Sequence, residues 1–530
     1  MELKLKKMKK TFIILIASGL AMTGCNTNLL NTTPDDSYVE TNFWTTPQAA
    51  TAALTGAYQK LKTDGVYGGT ATPLFEETAT PNAYCYDNTE SWNSIAEGLQ
   101  SAATTKIIPT RWADCYGGIG RVNTFLANVD RVSTLDPDLK TRMKGEAHFL
   151  RAMYYFILEN YWGDVPLITA PPDPKTQDSL PRTPRAEVVA QIMKDLDSAA
   201  MVLPLKYSSS DVGRATKGAA LALKARVLLY EASPLLNPSG DKNKWKAAAD
   251  AANAVISMAK DAGYGLFPDY RGLFLPQNEN NKEVIFDVQF IYPLEGNSFD
   301  LIDRQYNSNA PLLGLAEAYE MQATGLPITN PLSGYDPNNP YKGRDPRLYA
   351  TIVYPGDTYM GSVVDNKRFA ITGYGMEKYS IYTDAKPAAG TADLKAGQSY
   401  TNYIVLRYAD ILLMYAEAEN EYAGPDPSVF SAVNAVRERA GMPDLPVTLS
   451  QDGMRDAIRH ERRVEFAGEG YYYNDIRRWK TAEVVMNATI YKYDHTKIET
   501  RQFDPARDYY WPIPQAQLDL NPKLKQNPNY

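Results

Sequence analysis

The 530-residue chain predicts a mainly all-α fold: a helical-repeat scaffold with a large loop-rich insertion that carries a few short strands. Two observations carry that expectation. Apolar residues recur at steps of three and four in several long segments, and the connections between them are short enough to make sequential helices antiparallel neighbours. Between about 262 and 402 that period disappears. Gly, Pro, Asn and Tyr dominate there, with only brief β-like runs.

At the N-terminus, Lys4, Lys6, Lys7, Lys9 and Lys10 precede an apolar run from Phe12 to Met22, then Thr23, Gly24 and Cys25. A basic region, a short apolar region and a small-residue site make an export signal, and a cysteine directly after it resembles a bacterial lipobox. The expected product starts at Cys25, is acylated there, and is held to a membrane by several acyl chains. Residues 1–24 are thus assigned as signal peptide, 25–40 as a polar lipidated tether, and 41–530 as one domain.

The first helix of that domain spans about 46–62, with Thr46 as N-cap, Pro47 at the first helical position, and Ala49, Ala53, Ala57 and Tyr58 along one side. Residues 63–110 lose the helical period, and the next helix is expected near Trp112. In 145–163, Ala147, Leu150, Tyr154, Ile157 or Leu158, and Tyr161 form one stripe that ends before Pro166. A helix over 186–203 stops before Pro204. Two more follow, at 215–233 (Ala219, Leu223, Arg226, Tyr230) and 244–260 (Trp245, Ala248, Ala252, Val255, Ala259). No tidy 34-residue period is visible, so a tetratricopeptide-like assignment rests on helix pairing. Within the insertion, Glu283 to Phe290 reads as a strand. Helices are expected again at 403–421, at 428–440 with Ser428 as cap and Gly441 as stop, and at 451–467. The blocks are therefore about 46–62, 112–260 and 403–480, with loop-rich faces at 63–110 and 262–402. Tyr509, Tyr510, Trp511 and Pro512 make the tail pack down.

Without the leader's five Lys and one Glu, 55 basic and 62 acidic residues become 50 and 61, a net charge of −11. That excludes nucleic acid as the main ligand. Cys85 and Cys115 are the cysteines left for a disulfide or for two buried thiols. Together with His148, His460 and His495 they build no metal framework, so no cofactor is expected, and no calcium is indicated. The 37 tyrosines suit surfaces that stack on a ligand and hydrogen-bond it.

The segment 458–479 is dense in charge. His460-Glu461 lacks the second His of a zinc helix, because position 464 is Val. Glu461, Arg462, Glu465, Glu469, Asp475, Arg477 and Arg478 could pair carboxylates for glycoside hydrolysis. The preferred reading is a carboxylate–guanidinium network that clamps the last helices, joined by Arg407 and Asp410, three apart on one helix. Gly117-Gly118-Ile119-Gly120 lacks the spacing and the trailing Lys of a phosphate loop. No catalytic motif is found.

Aromatics beside amides and acids mark the two irregular regions. Tyr84, Tyr86, Asp87, Asn88, Trp92 and Asn93 fall in the first; Tyr292, Phe299, Asp300, Asp303, Tyr306 and Asn307 fall in the second. Flat rings pack on sugar C–H faces while amides and acids bind hydroxyls. Tyr84, Tyr86, Asn88, Trp92, Asn93, Tyr292, Phe299 and Tyr306 are the candidate ligand residues, with Trp92 foremost.

From end to end the chain resembles the SusD/RagB-type nutrient-binding outer-membrane lipoproteins. The resemblance rests on the lipobox, residues 30–58, WADCYGGIGRVNTFL (112–126), GEAHFLRAMYYFILENYWGDVPLI (145–168), ATKGAALALKARVLLYEAS, LRYADILLMYAEAEN (406–420), AVNAVRERAGMP (432–443), the 458–479 segment and WPIPQAQLDLNPKLKQNP (511–528). It implies four tetratricopeptide-like units beneath a loop-rich face and no enzymatic activity. It also implies a cell-surface role, capturing oligosaccharide, or peptide in some branches, for a SusC-like TonB-dependent transporter. In that picture the helical side docks the transporter and the irregular side holds nutrient.

Overall fold

A computed structural model of the chain describes residues 43–68, 72–365 and 367–530. Cys25, the leader and the tether lie outside the described residues.

Local chemistry sets most helix starts. In α1 (Pro47–Gln59) the Thr46 hydroxyl accepts from Ala49 N, with Pro47 in the first turn. Helix α2 (Ile107–Asn128) begins five residues before Trp112. In α3 (Pro137–Trp162) the Asp136 carboxylate accepts from Leu139 N at 2.9 Å, so this helix starts a full two turns before residue 145. Helix α4 (Arg185–Val202) follows, then α5 (Lys217–Ala232), capped by Thr216, and α6 (Lys242–Ala262), capped by Asp241.

The insertion opens on β1 (Val284–Val288), as expected, and closes on β2 (Tyr403–Arg407). The two pair antiparallel, Val284 opposite Arg407 and Val288 opposite Tyr403. This corrects the reading of 403–421 as one helix. All five residues of β2 are buried, and a short apolar run buried on both faces carries no period that separates strand from helix. Helix α7 starts at Tyr408 (Tyr408–Ala423), α8 spans Pro427–Arg439 and α9 spans Gln451–Glu465, capped by Ser450. The cap of α8 is Asp426, not Ser428: its carboxylate accepts from Ser428 N and Val429 N, and the Ser428 hydroxyl donates to it. A short helix, α10 (Tyr472–Arg478), ends the scaffold.

Each helix from α1 to α8 packs on the next in sequence, and α9 returns against α7, so sequential helices pair as expected. Close approach has a visible cause at Gly118, in the middle of α2. A Cβ there would lie 2.4 Å from the Tyr154 ring of α3. The Gly-rich run thus serves helix packing.

The core between scaffold and tail is aromatic. Trp162 meets Trp112 and Trp511 edge-on at 5.2 and 5.5 Å, and its indole N–H donates to Pro512 O at 2.8 Å. Trp511 is fully buried, so the tail packs down as its aromatics predict. Cys85 and Cys115 are buried free thiols. No described helix is long and apolar enough to cross a membrane.

Candidate functional site

The two aromatic-rich regions, more than 200 residues apart in sequence, meet in space. Residues Ala83–Tyr84 pair antiparallel with Ala310–Pro311, Tyr84 opposite Ala310. Leu312 N donates to Asn82 O at 2.9 Å, and Arg501 donates to Ala83 O at 3.0 Å. Beyond the strands, the Ser308 hydroxyl donates to Asp87 Oδ2 at 2.7 Å, while Cys85 Sγ and the Thr89 hydroxyl donate to Asp87 Oδ1. Partial burial pushes the Asp87 carboxyl up, but the donors Cys85, Ser308 and Thr89 outweigh it and hold it below the usual carboxylate range. A charged acceptor fastens two loops here.

Tyr86 and Tyr306 flank that fastening and are 46% and 44% exposed, with Tyr84 half-buried beside them. Asn88 lies next to them and is exposed. Its carboxamide is spent locally, accepting from Ser94 N at 3.2 Å and donating to Ser94 Oγ at 3.1 Å. Tyr292 stands on another surface element, the hairpin closed by the Ile291–Glu295 bridge. It is exposed there and tilts against Tyr400 at 5.9 Å, a partner that sequence patterning did not single out.

Three candidates are placed elsewhere. Trp92 is fully buried, edge-on to Trp511 at 5.8 Å and under the Arg111 guanidinium at 5.4 Å. Its indole belongs to the aromatic core and offers no face to a ligand. Phe299 is fully buried too, packed against Phe290, Tyr379 and Tyr403. Asn93 is buried, and its amide donates to Glu97 at 2.9 Å. The remaining candidates, Tyr84, Tyr86, Asn88, Tyr292 and Tyr306, keep surface exposure.

The charged segment forms a buried network. Arg407 donates to Glu283 at 2.8 Å, to Glu465 at 2.6 Å and to both oxygens of Glu469 at 2.8 Å. Arg347 and Arg437 hold Glu461, and Arg439 adds a contact to Glu465. A second group links Arg462 to Asp410 and Asp475, and Arg478 to Glu417 and Asp475. Burial would raise Glu461 and Glu465. The guanidiniums of Arg347 and Arg437 beside the first, and of Arg439, Arg407 and Arg347 beside the second, reverse that and keep both below the ordinary range, Glu465 well below it. Buried charges survive here because each is paired.

Two details of the expected network change. Arg407 ends β2 rather than lying on a helix with Asp410, and Asp410 pairs instead with Arg226 and Arg462. Among the described residues Arg477 makes no ion pair; it donates to the backbone oxygens of Tyr509 and Asn160, pinning the tail. Sequence patterning missed Glu283, Arg347 and Lys378, because their partners lie up to 156 residues away.

Among the described residues no group of three or more His, Cys, Asp or Glu is placed to hold a metal ion.

The paired-helix fold is the one that SusD-like proteins share. The family model described as the SusD family matches residues 283–530. A second, described as starch-binding associating with outer membrane, matches residues 29–229. A SusD-like protein from Bacteroides fragilis is 30% identical, with 94% of this chain and 100% of that one covered and a TM-score of 0.77. A SusD-like carbohydrate binding protein, also from Bacteroides fragilis, is 28% identical over 91% of this chain and 100% of its own, with a TM-score of 0.79. A SusD-like protein of Formosa agariphila is 28% identical over 99% of this chain and 100% of its own length. The chain belongs to the SusD family.

Proposed function

We propose that this protein is a non-enzymatic, lipid-anchored binding protein of the outer membrane. It captures oligosaccharide on its loop face and hands it to a SusC-like TonB-dependent transporter. The observation that carries the reading is the junction of the two loops: Tyr86 and Tyr306 stand exposed on either side of the Asp87–Ser308 bond, with Tyr84 alongside. Exposed rings at a rigid junction suit the C–H faces of pyranoses, and neighbouring polar groups suit their hydroxyls. The similarity to a protein named as carbohydrate binding supports that ligand class. Cys25 supplies the anchor by its lipobox context.

Calorimetric titration of protein starting after Cys25, against a panel of oligosaccharides and short peptides, tests the reading. Saturable binding of one glycan class should weaken about 5–30-fold in Tyr86→Ala or Tyr306→Ala, the loss of about 1–2 kcal/mol expected of an aromatic contact. Binding confined to peptides would overturn the glycan assignment in favour of a RagB-type peptide carrier. Release of shortened oligosaccharides during incubation would overturn the non-enzymatic part and reinstate a glycoside hydrolase. Failure to co-purify with a SusC-like transporter on co-expression would overturn the delivery step.

A further inference from the structure

Two clefts of about 310 Å³ each lie on the flank of the scaffold, between α1, the turn at 210–214 and β1. They share Val212, Gly213, Arg214 and Asp287, and so form two halves of one groove. One half runs to Tyr58 and Lys62, the other to Tyr264 and Asn280. None of the exposed loop-face tyrosines lines either half.

The lining has the chemistry of a built site. Asp287 is 4% exposed and accepts from Asn402 Nδ2 at 2.9 Å. Among the described residues it has no cationic partner within ion-pair distance. Burial pushes its carboxyl up to about 6. Gln289 lines one half beside Gly213, donating to Asn280 Oδ1 at 2.9 Å and, at 3.4 Å, to the other oxygen of Asp287. It can do so because residue 213 is glycine: φ there is +94°, and a Cβ would lie 2.5 Å from the Gln289 carboxamide. The Tyr58 hydroxyl is committed to Glu146 at 2.9 Å and to Ala215 N at 3.0 Å, so its ring forms wall.

Such a groove selects its ligand by exclusion. A wholly apolar occupant would strip water from Asp287 without replacing it, a desolvation cost with no return. An anionic one would face the Asp287 carboxylate, since the lining cations Lys62 and Arg214 are already held by Glu295 and by Glu146 and Asp211, which leaves Lys206 and Lys282 at the exposed rim. Hydroxyl groups donate to a carboxylate and to a carboxamide oxygen while their carbon skeleton lies on a tyrosine ring, and each cleft has the volume of a small-ligand site. We propose that this flank groove is a second binding site, for an uncharged saccharide unit, separate from the loop face. The ligand class rests on the capture reading above; the site itself does not.

Titration with neutral malto-, laminari-, xylo- and manno-oligosaccharides tests it. For the sugar that binds, the wild type should take up two equivalents per chain. Val212→Trp, which fills the groove from an exposed lip position, and Gln289→Ala, which strips a lining group, should each leave one. The Tyr86→Ala/Tyr306→Ala variant should also leave one, the other event. One equivalent in the wild type, lost with the tyrosines and untouched by Val212→Trp and Gln289→Ala, overturns the groove and keeps the loop face. One equivalent lost only with the groove variants overturns the loop face and keeps the groove. No binding of any neutral sugar overturns both.

Discussion

Replacing Arg407 by Met would test whether the buried charge network holds the last helices to the insertion. The guanidinium makes four contacts of 2.6 to 2.8 Å to three carboxylates, and a fifth to Glu465 O at 3.1 Å. Methionine matches the side chain's length and apolar character but supplies no donor. Glu283 would keep Arg439, Glu465 would keep Arg347 and Arg439, and Glu469 would keep Lys378. Removing one partner from a buried charge pair costs about 3–5 kcal/mol, and the retained cations place this variant in that range rather than above it. Unfolding entropy of about 2.1 cal/mol/K per residue makes about 1 kcal/mol/K for a domain this size, so Tm should fall by about 3–5 °C. Differential scanning calorimetry at pH 7 reads that shift. Adding Glu469→Gln should restore about 1–2 kcal/mol of coupling, since Glu469 loses two contacts in the single variant. A Tm within 1 °C of wild type for Arg407→Met, or strict additivity in the double variant, would refute the clamp.

Three further outcomes follow from the interior. Trp92→Ala should cost about 3–5 kcal/mol of stability, as large-to-small changes in a packed core do, yet leave oligosaccharide affinity unchanged at temperatures where the variant stays folded; a folded variant with weakened affinity would return Trp92 to the binding surface. Glu77 is fully buried, with Asn82 donating to one oxygen at 2.6 Å, and burial pushes its carboxyl up to about 7. The folded state therefore binds more protons than the unfolded one between about pH 4.5 and 7. Stability should fall as pH rises through that window and stay lowered above it, by about 3 kcal/mol for this group. Glu77→Gln should remove that component and raise Tm at pH 8; a Tm–pH profile identical to wild type would sink the assignment. Finally, protein starting after Cys25 should show no titratable thiol when native and two after denaturation without reductant, because burial raises both Cys85 and Cys115. No thiol in the denatured protein would mean a disulfide.

The scaffold was largely legible because its signals are local. Thr46-Pro47 caps α1 as its residues predict, and the stripes of α3, α5 and α6 fall where their periods put them. What was hidden depends on distant partners. Tyr403 to Arg407 reads as helix until Val284 to Val288 is brought beside it. Asp426 and Ser428 are equally good caps by type, and the choice is made by which side chain reaches the free amides. The loop face divides in the same way. Tyr86 and Trp92 stand in similar polar company in sequence, but Trp511, more than 400 residues on, helps bury Trp92, while Tyr86 keeps nearly half its surface exposed. Arg347, the guanidinium that completes the Glu461–Glu465 pair, sits in the irregular insertion, where no helical spacing points to it.

The β1–β2 pair has a consequence for how this molecule can change. The insertion leaves the scaffold at Val288 and re-enters at Tyr403, residues that face each other across one ladder. Everything between starts and finishes at nearly the same point in space. A segment with coincident ends can be lengthened, shortened or exchanged with little effect on the geometry of its flanks, since the cost of closing a loop grows only slowly with its length. The helices on either side need keep the ladder, the ion pairs around Arg407 and, from within the insertion, the Arg347 and Lys378 cations that pair the buried Glu461, Glu465 and Glu469. The insertion is thus an exchangeable head on a fixed base, and swapping residues 289–402 for those of a relative that keeps both cations should change what the protein holds while leaving its scaffold intact.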